Sequence, residues 1–128
     1  MKETYYQRAL KYEGVPYRTE MMNMSGMDCS GLVNAATGQT ERVWHTGMGK
    51  PPGNWEEVNT LGWWSNDNFM KSAKEGDLFL WHGHVAFYAG GERLFHARKP
   101  GTNVGFSNDL KIYWLREIGF PIVYRQIF

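Results

Sequence analysis

Residues 28–33 read DCSGLV and put the only cysteine of this 128-residue chain at the predicted start of a helix that ends near Gly38. Ser25 and Asp28 are both plausible N-cap residues for this helix, and the apolar residues that follow recur on one helical face. Unpaired N–H groups and the macrodipole favour negative charge at such a start and should lower the pKa of the Cys29 thiol. The same N–H groups could bind an oxyanion, and Gly31 would keep the first turn open to a substrate backbone. We therefore treat Cys29 as a candidate nucleophile, with a small buried hydrophobic residue as the alternative.

Helical patterns precede strand patterns along the chain. Periodicity predicts helices over residues 4–13, 29–38 and 65–73, and strands over residues 77–82, 84–89, 93–98, 103–107 and 122–128. Residues 37–61 are rich in Gly, Pro and Asn, which predicts a long surface excursion. Helices followed by strands in a chain of this length indicate one α+β domain over residues 1–128.

The composition excludes several classes of protein. Hydrophobic residues make up 42% and aromatic residues 16%, which is enough for a packed core without disulfides. Fourteen basic and thirteen acidic residues leave a net charge of +1, so we expect no nucleic-acid partner. The longest apolar runs are far shorter than the roughly 20 residues of a membrane-spanning helix. A single cysteine excludes an intramolecular disulfide.

Two histidines in neighbouring predicted strands suggest how a thiol would be activated. A general base needs its second ring nitrogen held by a partner, and His96 could hold His84 in this way. The two residues are separated by an even number of positions, so they share a face of the hairpin only if the connecting loop is odd, such as residues 89–91. A two-residue Gly-Gly turn would put them on opposite faces, and the sequence suits either turn.

Four segments in this order resemble the NlpC-type cell-wall cysteine peptidases. They are residues 28–33 (DCSGLV), 76–79 (GDLF), 84–90 (HVAFYAG) and 95–97 (FHA). The resemblance implies a papain-like α+β domain, with N-terminal helices packed on an antiparallel sheet and the nucleophile at a helix N-terminus. It also implies that Cys29 is the nucleophile, His84 the base and His96 the third polar residue of the site.

Further site residues follow from the same resemblance. Residues 16–18 (PYR) resemble the family's Pro-Tyr segment, which implies that Tyr17 supports catalysis, with a packed tyrosine as the alternative. The family's match to Asp28 binds the free amine of a stem peptide, and this role can coexist with that of a helix cap. Ser30 is either a first-turn hydroxyl or a contact to the substrate.

The chain departs from the family pattern in two places. Residues 19–22 (TEMM) replace a glycine pair, and the segment after the Cys29 helix lacks the usual short Pro-Arg stretch. That segment carries four tryptophans, Trp44, Trp55, Trp63 and Trp64. We predict that they form one wall of a substrate groove, because aromatic walls stack on flat or sugar-like surfaces and exclude water. A folding element or a docking face for an inhibitor is the alternative.

The resemblance implies hydrolysis of an amide in a peptidoglycan stem peptide, between D-glutamate and the third residue, and we expect no metal or cofactor to be needed. One alternative is a papain-like acyltransferase or deamidase that acts on a protein or lipid. Another is a non-catalytic cell-wall or zinc-binding module, in which Cys29, His82, His84 and His96 would hold the zinc.

The expected location follows from this substrate. The N-terminal residues lack the apolar segment of a secretory signal. We therefore expect synthesis in the cytoplasm and action at the cell wall after leaderless export, delivery as a toxin, or phage lysis. An immunity or inhibitor protein is a possible partner.

Overall fold

A six-stranded antiparallel sheet organises the computed structural model, which describes residues 3–65, 68–108 and 110–128. In spatial order its strands are β3 (Trp55–Glu57), β8 (Ile122–Gln126), β4 (Leu78–Trp81), β5 (His84–Gly90), β6 (Arg93–His96) and β7 (Gly105–Ser107). A separate hairpin pairs β1 (Met22–Asn23) with β2 (Gly26–Met27). The predicted α+β class with an antiparallel sheet is confirmed. Strands β1, β2 and β3 were not predicted, because two or three residues are too few to show an alternating pattern.

The described residues also form three short α-helices and one π-helix. These are α1 (Tyr5–Leu10), α2 (Cys29–Ala36), α3 (Phe69–Ser72) and the π-helix (Leu110–Ile118). All three α-helices are shorter than predicted, and α3 begins after Asn68 rather than at residue 65, where the predicted helix begins. The π-helix falls where the sequence assigned no element. Its residues Leu110 and Trp114 are buried in the core, so packing rather than local propensity decides this segment.

The sheet carries one apolar cluster on each face. Because side chains alternate along a strand, consecutive residues within β4, and likewise within β5, enter different clusters. On the face covered by α1 and α2, the sheet contributes Leu78, Leu80, Val85, Phe87 and Phe95. On the opposite face, it contributes Phe79, Trp81, Ala86, Tyr88, Leu94 and Val123. The π-helix and α3 pack against this second cluster.

The predicted tryptophan wall is wrong for Trp44, Trp55 and Trp63. Their side chains are 4%, 1% and 7% exposed and belong to the two clusters. The indole N–H of Trp44 donates to Gly49 at 3.1 Å, and that of Trp55 donates to Pro52 at 2.7 Å. Buried indoles need one acceptor each, and these loop carbonyls supply it. The excursion therefore holds its own backbone against the core with the tryptophans that were expected to face a substrate.

The β5–β6 hairpin turns on two residues, Gly91 and Glu92. Both have positive φ, 59° and 67°, as type I′ hairpin turns require. Of the two turns that the sequence allows, the structure therefore has neither the three-residue loop over residues 89–91 nor a turn on the Gly90-Gly91 pair, but a two-residue turn one position later. Taken alone, a two-residue turn would put His84 and His96 on opposite faces of the sheet.

A β-bulge at Ala89 reverses that outcome. Tyr88 pairs with Leu94, whereas Gly90 pairs with Arg93, so β5 has one more residue than β6 between these pairs. A bulge of one residue changes which side chains share a face, as an odd loop would. The two histidines therefore face the same side, and this part of the prediction is confirmed.

Replacing Trp55 tests whether the excursion is part of the core. Its ring lies 5.1 Å from the ring of Tyr5, and Trp55→Ala should lower the free energy of unfolding by about 3–5 kcal/mol in denaturant titration. Leu61→Ala, at a side chain that is 90% exposed, is the control and should change stability by no more than about 0.5 kcal/mol. A stable Trp55→Ala protein with weakened substrate binding would restore the groove-wall role.

Candidate active site

Cys29 is the first residue of α2, as the sequence predicts. Asp28 precedes it with an extended backbone (φ −100°, ψ −173°), and its carboxylate accepts a hydrogen bond from the Gly31 N–H at 2.8 Å. This is N-cap geometry, and the predicted capping role of Asp28 is confirmed. Cys29 is 9% exposed, so its thiol lies at the boundary between the core and the surface.

Gly31 is required by the protein's own backbone rather than by a substrate. A Cβ at this position would overlap the carbonyl oxygen of Met21. That carbonyl also accepts a hydrogen bond from the Asp28 N–H at 3.3 Å. The expectation that Gly31 leaves room for a substrate is corrected accordingly, because the loop before α2 occupies this space.

Burial raises the pKa of the Cys29 thiol above its ordinary value. Hydrogen bonds from the backbone N–H groups of Val85 and Ser30 lower the pKa, and so does Arg42, while the Asp28 carboxylate raises it. The predicted lowering is therefore wrong in direction, since the desolvation of a thiolate outweighs the donors at the helix start. The contact with Val85 also places the sulfur beside the first residues of β5.

A chain of hydrogen bonds crosses β5, β6 and β7. The Nε2 atom of His84 lies 2.7 Å from the Nδ1 atom of His96, and the Nε2 atom of His96 lies 2.8 Å from the Oγ atom of Ser107. Both imidazoles are buried. The predicted pairing of the two histidines is confirmed. Ser107 was not singled out, because only the register of β7 against β6 brings it to the same face.

Trp114, like Ser107, is a neighbour of the two histidines that the sequence does not predict. Its ring stacks on the His84 imidazole with 4.2 Å between centroids and 10° between planes, and it meets His96 edge-on at 5.9 Å. Such contacts restrict the rotation of both imidazoles. Trp114 lies in the π-helix, far from both strands along the chain, so no local pattern linked it to the site.

Tyr17 is half-buried next to the site. Its N–H donates to Thr102 at 2.9 Å, and a backbone bridge joins it to Met27, two residues before the cysteine. Burial raises the pKa of the Tyr17 hydroxyl, and negative charge on Cys29 and Asp28 adds to this effect. The phenol therefore stays protonated at neutral pH and can donate a hydrogen bond. Its supporting role in catalysis stays a prediction.

Arg42 is a site residue that sequence reasoning missed. Its guanidinium donates to both carboxylate oxygens of Asp28, at 2.7 and 3.0 Å, and to the Ser30 hydroxyl at 2.7 Å. Bidentate pairs of this kind are strong and directional. Arg42 lies in the excursion that was expected to build substrate subsites. The signal that could have found it was a basic residue in the segment where the family carries its Pro-Arg stretch.

The loop of residues 19–22 contains a residue in a backbone conformation that glycine favours. Glu20 has φ of 64°, in the left-handed region, and its N–H donates to the Asp28 carboxylate at 2.8 Å. Asp28 thus accepts from Glu20, Gly31 and Arg42. The proposed binding of a substrate amine by Asp28 stays a prediction, and such an amine would compete with the guanidinium.

The remaining histidines, His45 and His82, are exposed, and His82 lies in the turn between β4 and β5. Within the part of the chain that the structure describes, no group of three or more His, Cys, Asp or Glu side chains could hold a metal ion. None of the helices described for residues 3–65, 68–108 and 110–128 is long and apolar enough to cross a membrane.

Comparison with known proteins gives one family. The sequence profile of the NlpC/P60 family matches residues 14–119. A search of curated proteins found no significant match. Among solved structures, the NlpC/p60 domain of the peptidoglycan hydrolase SagA is 26% identical, with a TM-score of 0.61 and 97% of each chain covered.

Two further solved structures are of longer proteins, which this chain matches over part of their length. A lipoprotein-like NLP/P60 protein of Staphylococcus aureus subsp. aureus Mu50 is 26% identical with a TM-score of 0.61, and the match covers 100% of this chain and 43% of that one. The peptidoglycan hydrolase RipB of Mycobacterium tuberculosis is 24% identical with a TM-score of 0.62, over 97% of this chain and 63% of that one. The similarity to RipB shows that the two chains share a fold.

The raised pKa of Cys29 can be measured by alkylation. Only the thiolate reacts with iodoacetamide, so the rate should rise with pH around a midpoint above the value of about 8.5 for an exposed cysteine. The folded protein then holds this proton more tightly than the unfolded chain, so stability should decline as the pH rises through the interval between the two pKa values. Cys29→Ala should lack this component of the decline. A midpoint below that of glutathione, measured alongside, would contradict the prediction.

Removing the Arg42 side chain tests the contribution of its ion pair with Asp28 to stability. Arg42→Ala should lower the free energy of unfolding by roughly 2–5 kcal/mol, because Asp28 would stay buried without its cation. Arg42→Lys should lose less, since it keeps the charge but not the two parallel hydrogen bonds. Lys11→Ala is the matched control: its pair with Glu3 is 63% and 47% exposed and should contribute no more than about 1 kcal/mol. Equal losses for Arg42→Ala and Lys11→Ala would refute the role of Arg42.

Proposed function

The chain belongs to the NlpC/P60 family, and from this membership we infer that it is a cysteine endopeptidase that hydrolyses peptidoglycan stem peptides. The observation that carries the proposal is the 2.7 Å hydrogen bond between His84 and His96, at the strand end that the Cys29 sulfur contacts. This arrangement supports the roles that we propose, with Cys29 as nucleophile, His84 as base and His96 as the orienting group. The similarity to the SagA hydrolase domain supports the substrate class.

The first step needs a base because the resting thiol is neutral. His84 donates a hydrogen bond from Nε2–H to His96. Its Nδ1 atom can therefore take the Cys29 proton as the sulfur attacks the amide carbonyl. The resulting imidazolium keeps its hydrogen bond to His96. The stacked ring of Trp114 limits rotation of the imidazole during this transfer. No metal or cofactor enters this scheme.

The second step collapses the tetrahedral intermediate. The backbone N–H of Cys29 would hold the oxyanion, and Tyr17, protonated at neutral pH, would donate a further hydrogen bond near the sulfur. His84 passes its proton to the leaving amine, which leaves a thioester on Cys29. Water, activated by the same imidazole, hydrolyses the thioester and restores the thiol.

We assign the substrate bond by family resemblance to the amide between D-glutamate and the third residue of the stem. Asp28 and Ser30 are proposed to meet the free amine of the stem beside Arg42. A substrate of this kind places the action of the protein at the cell wall. An immunity or inhibitor protein stays a proposed partner.

Digestion of purified peptidoglycan tests the proposal. The wild-type protein should release fragments carrying L-Ala-D-Glu, identified by mass spectrometry. Cys29→Ala and His84→Ala should each reduce the rate by at least about 10³-fold, because each removes a group that acts in bond breaking. His82→Ala is the matched control, since that exposed imidazole lies in the neighbouring turn and should leave the rate unchanged.

Other products would point to another reaction. Intact stems, alongside cleavage of a different amide by a Cys29-dependent route, would keep the catalytic residues and overturn the substrate. Transfer of the acyl group to an added amine, in preference to water, would identify an acyltransferase. Full hydrolysis by Cys29→Ala would overturn the cysteine mechanism altogether.

A further inference from the structure

We propose that Ser107 is a positioning residue that supplies the acceptor with which His96 can keep its proton on Nε2 and accept from His84 at Nδ1. This inference rests on the proposed function, because it concerns the base of that reaction. It extends the site by one residue beyond the cysteine and the two histidines. The observation behind it is the 2.8 Å distance between Ser107 Oγ and His96 Nε2.

Two arrangements of protons satisfy both hydrogen bonds in the chain. In the first, His84 Nε2–H donates to His96 Nδ1, and His96 Nε2–H donates to Ser107. In the second, Ser107 donates to His96 Nε2, and His96 Nδ1–H donates to His84 Nε2. The second arrangement puts the proton of neutral His84 on Nδ1, where it cannot take the thiol proton. Only the first arrangement suits a general base.

The first arrangement depends on an acceptor for the Nε2–H of His96. That imidazole is 1% exposed, and a buried N–H without an acceptor is rarer in proteins than a buried acceptor without a donor. Removing the Ser107 hydroxyl takes away the acceptor at 2.8 Å and should therefore favour the form of His96 protonated on Nδ1. That form presents a donor to His84 instead of an acceptor.

Strand register holds Ser107 in place. His96 pairs with Gly105 and Leu94 pairs with Ser107. Ser107 is therefore two residues along β7 from the partner of His96 and projects from the same face as His96. A surface cavity of about 140 Å³ adjoins this contact and is lined by His96, Arg98, Thr102, Asn103, Gly105, Phe106 and Ser107. Water in this cavity could replace part of the hydroxyl's role if the serine were shortened to alanine.

A pair of variants of nearly equal shape separates the hydroxyl from packing. Ser107→Thr keeps the hydroxyl and should stay within about threefold of the wild-type rate, while Ser107→Val replaces it with a methyl group and should lose about tenfold or more, the value of one hydrogen bond. Both residues suit a strand. Ser107→Ala should fall between them, because water can enter. Ser25→Ala, in the exposed turn between β1 and β2, is the control and should match wild type.

The tautomer of His96 gives a readout that needs no substrate. Long-range ¹H–¹⁵N correlation of the imidazoles should find His96 protonated on Nε2 in the wild type and in Ser107→Thr, with loss of that preference in Ser107→Val. The His96→Gln variant assigns the resonances. These spectra stand even if peptidoglycan is not the substrate, so the two proposals fail separately. A wild-type His96 protonated on Nδ1, or a Ser107→Val protein with unchanged tautomer and rate, would overturn the role of Ser107.

Discussion

The buried carboxylate of Asp28 is the constraint on which the rest of the site depends. It caps α2, receives the N–H of the strained residue Glu20, and pairs with Arg42 from the excursion. The loop that contains Glu20, the start of α2 and the excursion that contains Arg42 therefore meet around one negative charge. Because a buried carboxylate is strongly unfavourable without such partners, the position of Cys29 at the start of α2 is tied to all three segments.

The sheet imposes a second constraint, because Cys29 and His84 belong to different faces. Cys29 packs with the cluster on the helical face, whereas His84 stacks on Trp114, which belongs to the cluster on the opposite face. The Cys29 sulfur contacts the N–H of Val85, the residue that follows His84 in β5. Burial keeps the thiol protonated there, so in the proposed mechanism its reactivity depends on His84. The orientation of the His84 imidazole in turn depends on hydrogen bonds that run across neighbouring strands.

The NlpC/P60 fold is shared with the SagA domain at 26% identity. In this chain two loops hold the start of α2. Glu20 adopts a left-handed backbone and donates its N–H to the Asp28 carboxylate, and Arg42 supplies a guanidinium to the same helix cap. Trp44 and Trp55 anchor to the core the excursion that contains Arg42. The geometry around Cys29 therefore depends on these loops as well as on the helix that Cys29 begins.

Caps and alternation are local signals, so the sequence alone predicted a helix that begins near Cys29 and the strand that begins at His84. It left the cap of that helix open between Ser25 and Asp28, and the structure shows Asp28. The sequence did not determine the direction of the thiol pKa, which depends on burial by distant segments. Nor could it identify Arg42, Ser107 and Trp114 as neighbours of the site, since only packing and strand register bring them there. The shared face of the two histidines was predicted, but the bulge that produces it was not, because bulge and loop are interchangeable in a glycine-rich turn. Strand register and packing join segments that are far apart along the chain, and they therefore set which residues surround the site.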